Sequence, residues 1–178
     1  SEEGFVPQLQ AWLAAAGSAA TVVNAGVSGD TSAGGLSRLD WSLTPQTDAL
    51  IVTLGGNDLL RGLDPASTRA NLDQILTKAR ARNLPVLLIG LPGPANFGPD
   101  WKAEFDAIYP ELAAKHATLL APNFLEGLGA SQLGSADPAA LQSLMQPDQI
   151  HPNAEGVKRI VAHLGPQVQA LLGQIPPQ

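Results

Sequence analysis

Apolar residues recur along this chain at spacings that are typical of helices and strands. Over Phe5 to Ala16 they return every three or four positions, which predicts a helix that Gly17 ends. Thr21 to Ala25 is a short run rich in β-branched residues and predicts a strand. Thr31 is a suitable N-cap for a following leucine-bearing helix that Pro45 terminates. The first quarter of the chain therefore predicts a helix, a strand and a second helix.

The middle of the chain contains two uninterrupted apolar segments, Ala49 to Leu54 and Val86 to Ile89. Such segments are typical of strands that are buried on both faces of a parallel sheet. Between them, Asp64 as N-cap and Pro65 in the first turn predict a helix that runs to about Arg82. This order of strand, helix and strand predicts a βαβ unit.

The same alternation continues after the second apolar segment. A loop rich in proline and glycine, Leu91 to Pro99, precedes a predicted helix over Asp100 to Lys115. A short strand is predicted at Leu119 to Leu120. Gly127 to Gln149 is predicted to be irregular, with a helix near Pro138 to Leu144.

One more amphipathic helix closes the pattern. Its predicted N-cap is Asn153, and its apolar positions continue toward Leu172. Pro166 lies inside this run, and we expect it to kink or split the helix.

These elements predict an α/β fold, a three-layer α/β/α sandwich around a parallel sheet. The chain shows no repeat and no linker, and its 178 residues are consistent with one domain over 1–178. Ligands bind beyond the carboxyl ends of the strands in such sheets. Three segments are predicted to lie there, namely Gly26 to Thr31, Gly55 to Asp58 and Leu91 to Gly98. The loop from Asp148 to Asn153 directly precedes a helix and can join them.

The composition and net charge of the chain argue against several kinds of binding partner. With 44% hydrophobic and 15% charged residues, the chain can form a buried core and is not dominated by disorder. A net charge of −6 and only ten scattered Lys and Arg residues argue against nucleic acid and anionic membranes as partners. No apolar run reaches the ~20 residues of a membrane span, so we expect no stable membrane insertion. Without cysteine or a cluster of acidic residues, no disulfide, metal site or cofactor is expected.

The loop Asp148-Gln-Ile-His-Pro-Asn153 contains the pair of residues best suited to general base catalysis. A carboxylate three residues before a histidine can accept the proton on Nδ1 of its ring. That hydrogen bond holds the tautomer whose Nε2 faces a substrate. The alternative is that Asp148 and His151 merely decorate a loop at the start of a helix.

Two glycine-containing loops supply candidate hydrogen-bond donors. Asn57, in Gly55-Gly-Asn-Asp58, can donate its side-chain amide to a developing oxyanion. A backbone N–H at Gly29, in the loop before Thr31, can do the same. The alternatives are a tight turn with a helix cap in each loop, or a non-catalytic module that holds a phosphate or nucleotide. Against that module, the second loop has no Lys or Arg and no P-loop pattern.

Together these blocks resemble the GDSL (SGNH) hydrolase family, in particular its bacterial branch of thioesterase I/lysophospholipase L1-like enzymes and arylesterases. The matching segments are Val23-Asn-Ala-Gly-Val-Ser-Gly-Asp-Thr-Ser32, Leu54-Gly-Gly-Asn-Asp58 and Asp148-Gln-Ile-His-Pro-Asn153. Their order and spacing extend over the chain from about Gly4 to the final helix.

The resemblance implies a role for each matching residue. Gly29 and Asn57 match the glycine and asparagine of the family's oxyanion hole. His151 matches the general base, and Asp148 matches the residue that orients it. The loop from Leu91 to Phe97 matches a mobile segment that contacts the acyl chain. Its candidate substrate-binding residues are Leu91, Pro92, Asn96 and Phe97.

The family's nucleophilic serine lies in a Gly-Asp-Ser-Leu block after a first strand and before the helix that here begins near Phe5. We therefore expect the serine upstream of Ser1, together with a central first strand in a flavodoxin-like sheet. The similar Gly29-Asp-Thr-Ser32 follows what matches the second strand, so it fits the family's second block instead. Thr31 and Ser32 are the alternative nucleophiles.

The activity implied is hydrolysis of carboxylic esters or thioesters by an enzyme that forms an acyl-enzyme. The alternatives are a carbohydrate acetylesterase of the same family, or a pseudoenzyme or binding module with the same fold. The sequence leaves open whether the small-molecule substrate is an aryl ester, an acyl-CoA or a lysophospholipid, and it leaves the oligomeric state open. The resemblance also implies a periplasmic or secreted protein, although the sequence itself contains no signal peptide.

Overall fold

A computed structural model of the chain describes residues 3–129 and 138–176. The elements follow in chain order: α1 (Phe5–Ala15), α2 (Ser32–Ser42), β1 (Leu50–Val52), α3 (Gly56–Leu60), α4 (Pro65–Ala81), β2 (Val86–Ile89), α5 (Pro99–His116), β3 (Leu119–Ala121), α6 (Pro138–Gln142) and α7 (Ala154–Leu172). Two short 3₁₀ helices, Ala95–Phe97 and Glu126–Leu128, lie before α5 and after β3. In these described ranges, no helix has both the length and the apolar content to cross a bilayer.

The chain divides into two compact units. The first comprises Ser1–Asn24 and Phe124–Ala170, and the second comprises Ala25–Asn123 and Leu171–Gln178. The prediction of a single domain over 1–178 stays a prediction.

The second unit contains an open parallel sheet in the order β1-β2-β3. Leu50 pairs with Val86, and Leu88 pairs with Leu120. The helix α4 lies between the first two strands in the chain, and α5 lies between the last two, as parallel pairing requires. The predicted α/β fold with a parallel sheet is therefore confirmed.

Burial in this unit centres on β2, whose four residues are all buried. The strand is apolar at every position because helices cover both faces of such sheets. Helices α4 and α5 supply most of the surrounding core, in particular Leu72, Ile75, Leu76, Phe105, Ile108 and Leu112.

The first unit is helical, and its core joins α1 to α7. Leu9 and Leu13 of α1 are buried, as the spacing of apolar residues predicts. Trp12 packs on Gly165 of α7 so closely that a Cβ on that glycine would lie 2.4 Å from the indole ring. The inward face of α7 consists of Ile160, Val161, Leu164 and Val168.

Most predicted elements are confirmed, several of them with their caps. The Thr31 side chain accepts a hydrogen bond from the Gly34 backbone N–H at the start of α2, and Asp64 accepts one from Ala66 at the start of α4. Asn153 accepts one from Gly156 in the first turn of α7. The predicted helix near Pro138 to Leu144 is present as α6. Of the irregular segment predicted over Gly127 to Gln149, residues 130–137 lie outside the described residues.

The strand predicted at Thr21 to Ala25 is absent. This segment has no regular secondary structure. The Gln10 side chain of α1 instead bonds to the backbone of Val22 in this segment and of Ala20 just before it. Nε2 of Gln10 donates to the Ala20 carbonyl at 3.0 Å, and Oε1 accepts from the Val22 N–H at 2.7 Å. A β-branched run becomes a strand only when another strand pairs with it.

Two further differences concern helices. The predicted split at Pro166 does not occur, since α7 runs from Ala154 to Leu172 as one helix. Pro166 and Ala162 are both exposed, so the carbonyl that proline leaves without a helical donor can bind water. The one-and-a-half-turn helix α3, Gly56–Leu60, was not predicted, because its Gly-Asn-Asp start is typical of turns.

Candidate active site

The structure brings Asp148 and His151 together within one loop of the first unit. Nδ1 of His151 lies 2.8 Å from Oδ2 of Asp148. The other oxygen, Oδ1, accepts the backbone N–H groups of Ile150 and His151, each at 3.0 Å. The carboxylate therefore fixes both the ring and the backbone that carries it. This is the arrangement that the spacing of the two residues predicts.

The same hydrogen bonds change the acidity of the carboxylate. The His151 ring is the largest cause, followed by the two backbone N–H groups, and together they lower the pKa of Asp148 from 3.8 to about 2. Asp148 is therefore an anion throughout the neutral range. The side chains of Asp148 and His151 are 43% and 65% exposed, so the histidine ring is accessible to a substrate.

A compact turn holds this pair. Gln149 has a left-handed backbone with φ +57°, and its N–H donates to the Gln146 carbonyl. Gln146 in turn donates its N–H to the His151 carbonyl at 2.7 Å. Asn153 closes the loop by donating its backbone N–H to the Leu144 carbonyl at 2.8 Å. The position of His151 is therefore fixed on both sides.

Gly29 and Asn57 lie together in the second unit. Gly29 has φ +80°, a conformation that glycine adopts without strain. Nδ2 of Asn57 donates to the carbonyl of the next residue, Asp30, at 2.9 Å. Arg61 donates to the Gly29 carbonyl at 3.0 Å. The Gly29 N–H bonds to no residue that the structure describes, so it is available as a donor.

The turn that carries Asn57 begins at the carboxyl end of β1. Gly55 has φ +108° and packs against the Tyr109 hydroxyl, which donates to the Leu54 carbonyl at 2.9 Å. Burial, and then the charge of Asp58, raises the pKa of Tyr109 well above its ordinary value. Tyr109 is therefore a neutral donor that anchors the end of the strand.

The candidate substrate loop lies after β2 in the same unit. Leu91 and Pro92 are half-buried, and Leu91 lies beside Gly56 of α3. Asn96 is exposed, and Phe97 is 40% exposed with its ring 4.7 Å from the ring of Trp101. Within the second unit, this loop therefore lies next to the turn that holds Asn57.

Three residues at these loops were not given roles by the sequence analysis. Asp58 is a buried carboxylate directly after Asn57, Arg61 bonds to the Gly29 carbonyl, and Tyr109 bonds to the strand end. The signal for Asp58 was a charged residue close behind a wholly apolar strand. The segments Leu60-Arg-Gly62 and Ile108-Tyr-Pro110 also fit the family, but the contacts of Arg61 and Tyr109 were not predictable, because their partners are backbone carbonyls far away in the sequence.

Other features carry less. The Trp41 side chain is 91% exposed to solvent, and Phe105 is buried in the core. His116 bonds to Asp73 at the end of α5, and His163 pairs with Glu126. Within the described ranges, no three His, Cys, Asp or Glu side chains form a group that can hold a metal ion.

The chain is similar in sequence to known proteins. The model of the GDSL-like lipase/acylhydrolase family matches residues 1–159. Esterase TesA of Pseudomonas aeruginosa is 42% identical over 173 residues, which cover 97% of this chain and 81% of the relative. Thioesterase 1/protease 1/lysophospholipase L1 of Escherichia coli K12 is 39% identical over 153 residues, covering 85% of this chain and 69% of the relative.

Solved structures show the same fold. A crystal structure of TesA matches with a TM-score of 0.82 at 40% identity, covering 96% of this chain and 89% of the other. The psychrotrophic esterase EstA from Pseudoalteromonas sp., inhibited by monoethylphosphonate, matches with a TM-score of 0.83 at 28% identity, with coverages of 97% and 89%. Because the family model and a relative this similar both cover most of the sequence, the chain belongs to the GDSL-like lipase/acylhydrolase family.

Proposed function

We propose that this protein hydrolyses carboxylic esters or thioesters of small molecules through an acyl-enzyme, with His151 as general base. The observation that carries the proposal is the 2.8 Å hydrogen bond between Nδ1 of His151 and Asp148. An ionised carboxylate at this atom holds the proton on Nδ1 and leaves Nε2 free to accept one. It also stabilises the imidazolium that forms when Nε2 takes the proton of a nucleophile.

The proposed reaction has two halves. A serine oxygen attacks the acyl carbon while its proton passes to Nε2 of His151, and His151 then protonates the departing alcohol or thiol. In the second half, His151 takes a proton from water, which attacks the acyl carbon. His151 then returns this proton to the serine oxygen as the acyl–serine bond breaks, which releases the acid and restores the enzyme. In each tetrahedral intermediate, the Gly29 N–H and the second N–H of the Asn57 amide donate to the oxyanion.

The proposed nucleophile is the serine of the Gly-Asp-Ser-Leu block that the family resemblance assigns to the segment before α1. Ser32 is poorly suited to the role because it is fully buried and its hydroxyl donates to Asp58 at 2.5 Å. Thr31 is occupied as the N-cap of α2. These contacts support the view that Gly29-Asp-Thr-Ser32 is an oxyanion loop rather than a nucleophile block.

The acyl group is proposed to lie against the loop after β2, in contact with Leu91, Pro92, Asn96 and Phe97. The leaving group is proposed to be an aryl alcohol or a thiol, since similar proteins bear the names arylesterase and thioesterase 1. We further propose that the mature protein acts in the periplasm or outside the cell, which rests on the family resemblance alone.

The test uses the full-length protein and a serine-reactive fluorophosphonate. We expect one covalent adduct, mapped by peptide mass spectrometry to the Gly-Asp-Ser-Leu block, and hydrolysis of p-nitrophenyl butyrate. His151→Ala is expected to abolish both while the circular dichroism spectrum stays unchanged. His163→Ala is the matched control. His163 lies in α7 and pairs with Glu126, so its replacement should leave both the adduct and the hydrolysis intact.

Three results would contradict the proposal. Unchanged hydrolysis in His151→Ala would remove His151 as the base. An adduct on Thr31 or Ser32 would move the nucleophile into the oxyanion loop. No adduct and no hydrolysis with any p-nitrophenyl ester or acyl-CoA would indicate a pseudoenzyme.

A further inference from the structure

Directly beside Asn57, the carboxylate of Asp58 is buried among hydrogen-bond donors. Asp58 is only 1% exposed. Its Oδ1 accepts the hydroxyl of Ser32 at 2.5 Å and the hydroxyl of Thr68 at 3.0 Å. Its Oδ2 accepts the Ser32 backbone N–H at 2.8 Å. A buried carboxylate without hydrogen-bond donors is strongly disfavoured, so these bonds compensate for the burial of Asp58.

Ser32 is the partner that ties this network to the oxyanion loop, defined here as residues 29–32. Asn71 of α4 donates from Nδ2 to the Ser32 hydroxyl oxygen at 3.0 Å. The hydroxyl proton is therefore directed to Asp58. Ser32 is itself fully buried, so both its backbone and its side chain have a single arrangement with these partners.

The two consecutive side chains of α3 hold the loop at two positions. Asn57 donates to the Asp30 carbonyl, and Asp58 accepts from Ser32. Asp30 directly follows Gly29, and Ser32 lies three residues after it. Gly29 itself is exposed, and its carbonyl accepts a hydrogen bond from Arg61. Since the carbonyl of Asp30 also orients the Asn57 amide, a shift of the loop would move both proposed oxyanion donors together.

We propose that Asp58 is a positioning residue that holds the Gly29 N–H and the Asn57 amide in register for the oxyanion. The inference rests on the proposed function, because it concerns the donors of that same site. The negative carboxylate is needed rather than any polar group of its size. It accepts at both oxygens, whereas an asparagine amide would turn an NH₂ group toward one of these donors.

The test compares Asp58→Asn with Thr68→Val in the full-length enzyme. Thr68 lies in α4 and bonds to the same carboxylate, but its replacement leaves both links to Ser32 in place. We expect Asp58→Asn to lower kcat for p-nitrophenyl butyrate by at least ~30-fold, since loss of one oxyanion donor costs about 10²–10³. The KM should change by less than about threefold, because the two donors bind the oxyanion of the transition state more strongly than the carbonyl oxygen of the bound substrate. Thr68→Val should keep kcat within about threefold at a comparable loss in Tm.

Hydrogen–deuterium exchange supplies a readout independent of turnover. In Asp58→Asn, a peptide covering residues 29–35 should exchange faster, while peptides from α5 should not change. Exchange that is unchanged over 29–35 would overturn the proposal, whatever the activity. Equal losses of kcat in Asp58→Asn and Thr68→Val would overturn it as well, since the effect would then be one of stability. Failure of the proposed function is distinguishable, because wild-type enzyme would then neither hydrolyse the ester nor react with the fluorophosphonate.

Discussion

Nδ1 of His151 lies 2.8 Å from Oδ2 of Asp148, and the second oxygen of that carboxylate holds two backbone N–H groups of the same loop. The Asp148 carboxylate thus orients the His151 ring with one oxygen and holds the loop backbone with the other. This explains why a pair that is largely exposed to solvent can still have a defined geometry.

The ionisation of Asp148 makes the stability of its loop depend on pH. The pKa of Asp148 falls from 3.8 to about 2, chiefly through the His151 ring. Because the folded pKa is the lower one, the carboxylate stabilises the folded loop above its ordinary pKa. That contribution is lost as the pH falls from about 4 toward 2. A carbon-13 NMR titration of the Asp148 carboxyl group should therefore give a midpoint near 2, and in His151→Ala the midpoint should move toward 3.8. A wild-type midpoint at 3.8 would mean that the pair is not formed in solution.

Replacing the carboxylate tests its catalytic consequence. Asp148→Asn keeps the size of the side chain but removes the negative charge that stabilises an imidazolium. We expect kcat for p-nitrophenyl butyrate to fall by at least ~10-fold, with a smaller change in KM. Steady-state kinetics at neutral pH measures this, and Glu155→Gln on the exposed side of α7 serves as the charge-matched control. Equal kinetics in the two variants would exclude a role for the Asp148 charge.

Asn57 is predicted to act in the transition state. Asn57→Ala removes a proposed donor, so kcat should fall by about 10²–10³ while KM changes little. Asn57→Asp has nearly the same size but presents oxygens to both the oxyanion and the Asp30 carbonyl, so its kcat should be at least as low. Steady-state assays with p-nitrophenyl butyrate give both kcat and KM. A rise in KM at constant kcat would instead place Asn57 among the groups that bind the ground state.

Gly55 is predicted to be irreplaceable for stability. Its φ of +108° is unfavourable for other residues, and a Cβ would lie 2.1 Å from the Tyr109 hydroxyl. We expect Gly55→Ala to lower the free energy of unfolding by about 2–4 kcal/mol, from strain plus overpacking. Gly98→Ala, at φ +93° with open space around it, should cost about 1–3 kcal/mol from backbone strain alone.

A double-mutant cycle separates the two contributions at Gly55. Tyr109→Phe removes the hydroxyl and leaves the Leu54 carbonyl without its donor, which should cost about 1–3 kcal/mol. In that background, Gly55→Ala should be less destabilising than in the wild type, because the closest contact is gone. Urea unfolding measures all four proteins. Additive effects would show that the strain in the backbone, not the hydroxyl, makes glycine necessary here.

The local sequence pattern predicted the elements that are wholly buried and the helix caps that depend on short-range contacts. Val86 to Ile89 was predicted at its observed bounds because an apolar run of that length has only one favourable environment, the interior of a parallel sheet. The caps Thr31, Asp64 and Asn153 were predictable because a cap and its partner lie within three residues of each other.

Long-range partners were not predictable in this way. The segment at Thr21 to Ala25 has the composition of a strand, yet its backbone bonds to the Gln10 side chain, a contact that no local pattern encodes. Asp58 and Ser32 are 26 residues apart in the chain, so the network that joins them depends on the tertiary fold. The candidate site divides in the same manner. The hydrogen bond between Asp148 and His151 was predictable from their spacing because both residues lie in one loop, whereas the contacts that support Asn57 were not predictable.

The last prediction concerns the choice of acyl chain. Phe97 presents a 40% exposed ring that is backed by Trp101 and lies against Gly62. If the acyl chain packs on this ring, each additional buried CH₂ contributes about 0.8 kcal/mol. Phe97→Ala should then lower kcat/KM for p-nitrophenyl octanoate by roughly 10-fold more than for p-nitrophenyl acetate.

Trp41→Ala is the control for this experiment, because that side chain is 91% exposed at the end of α2 and belongs to no candidate site. The ratio of octanoate to acetate activity should be the same in this variant as in the wild type. An equal loss on both esters in Phe97→Ala would argue that the ring supports the turn at Gly62 rather than the substrate. We would then expect the chain-length preference to arise from Leu91, which lies beside Gly56, and from Pro92, since both side chains are half-buried.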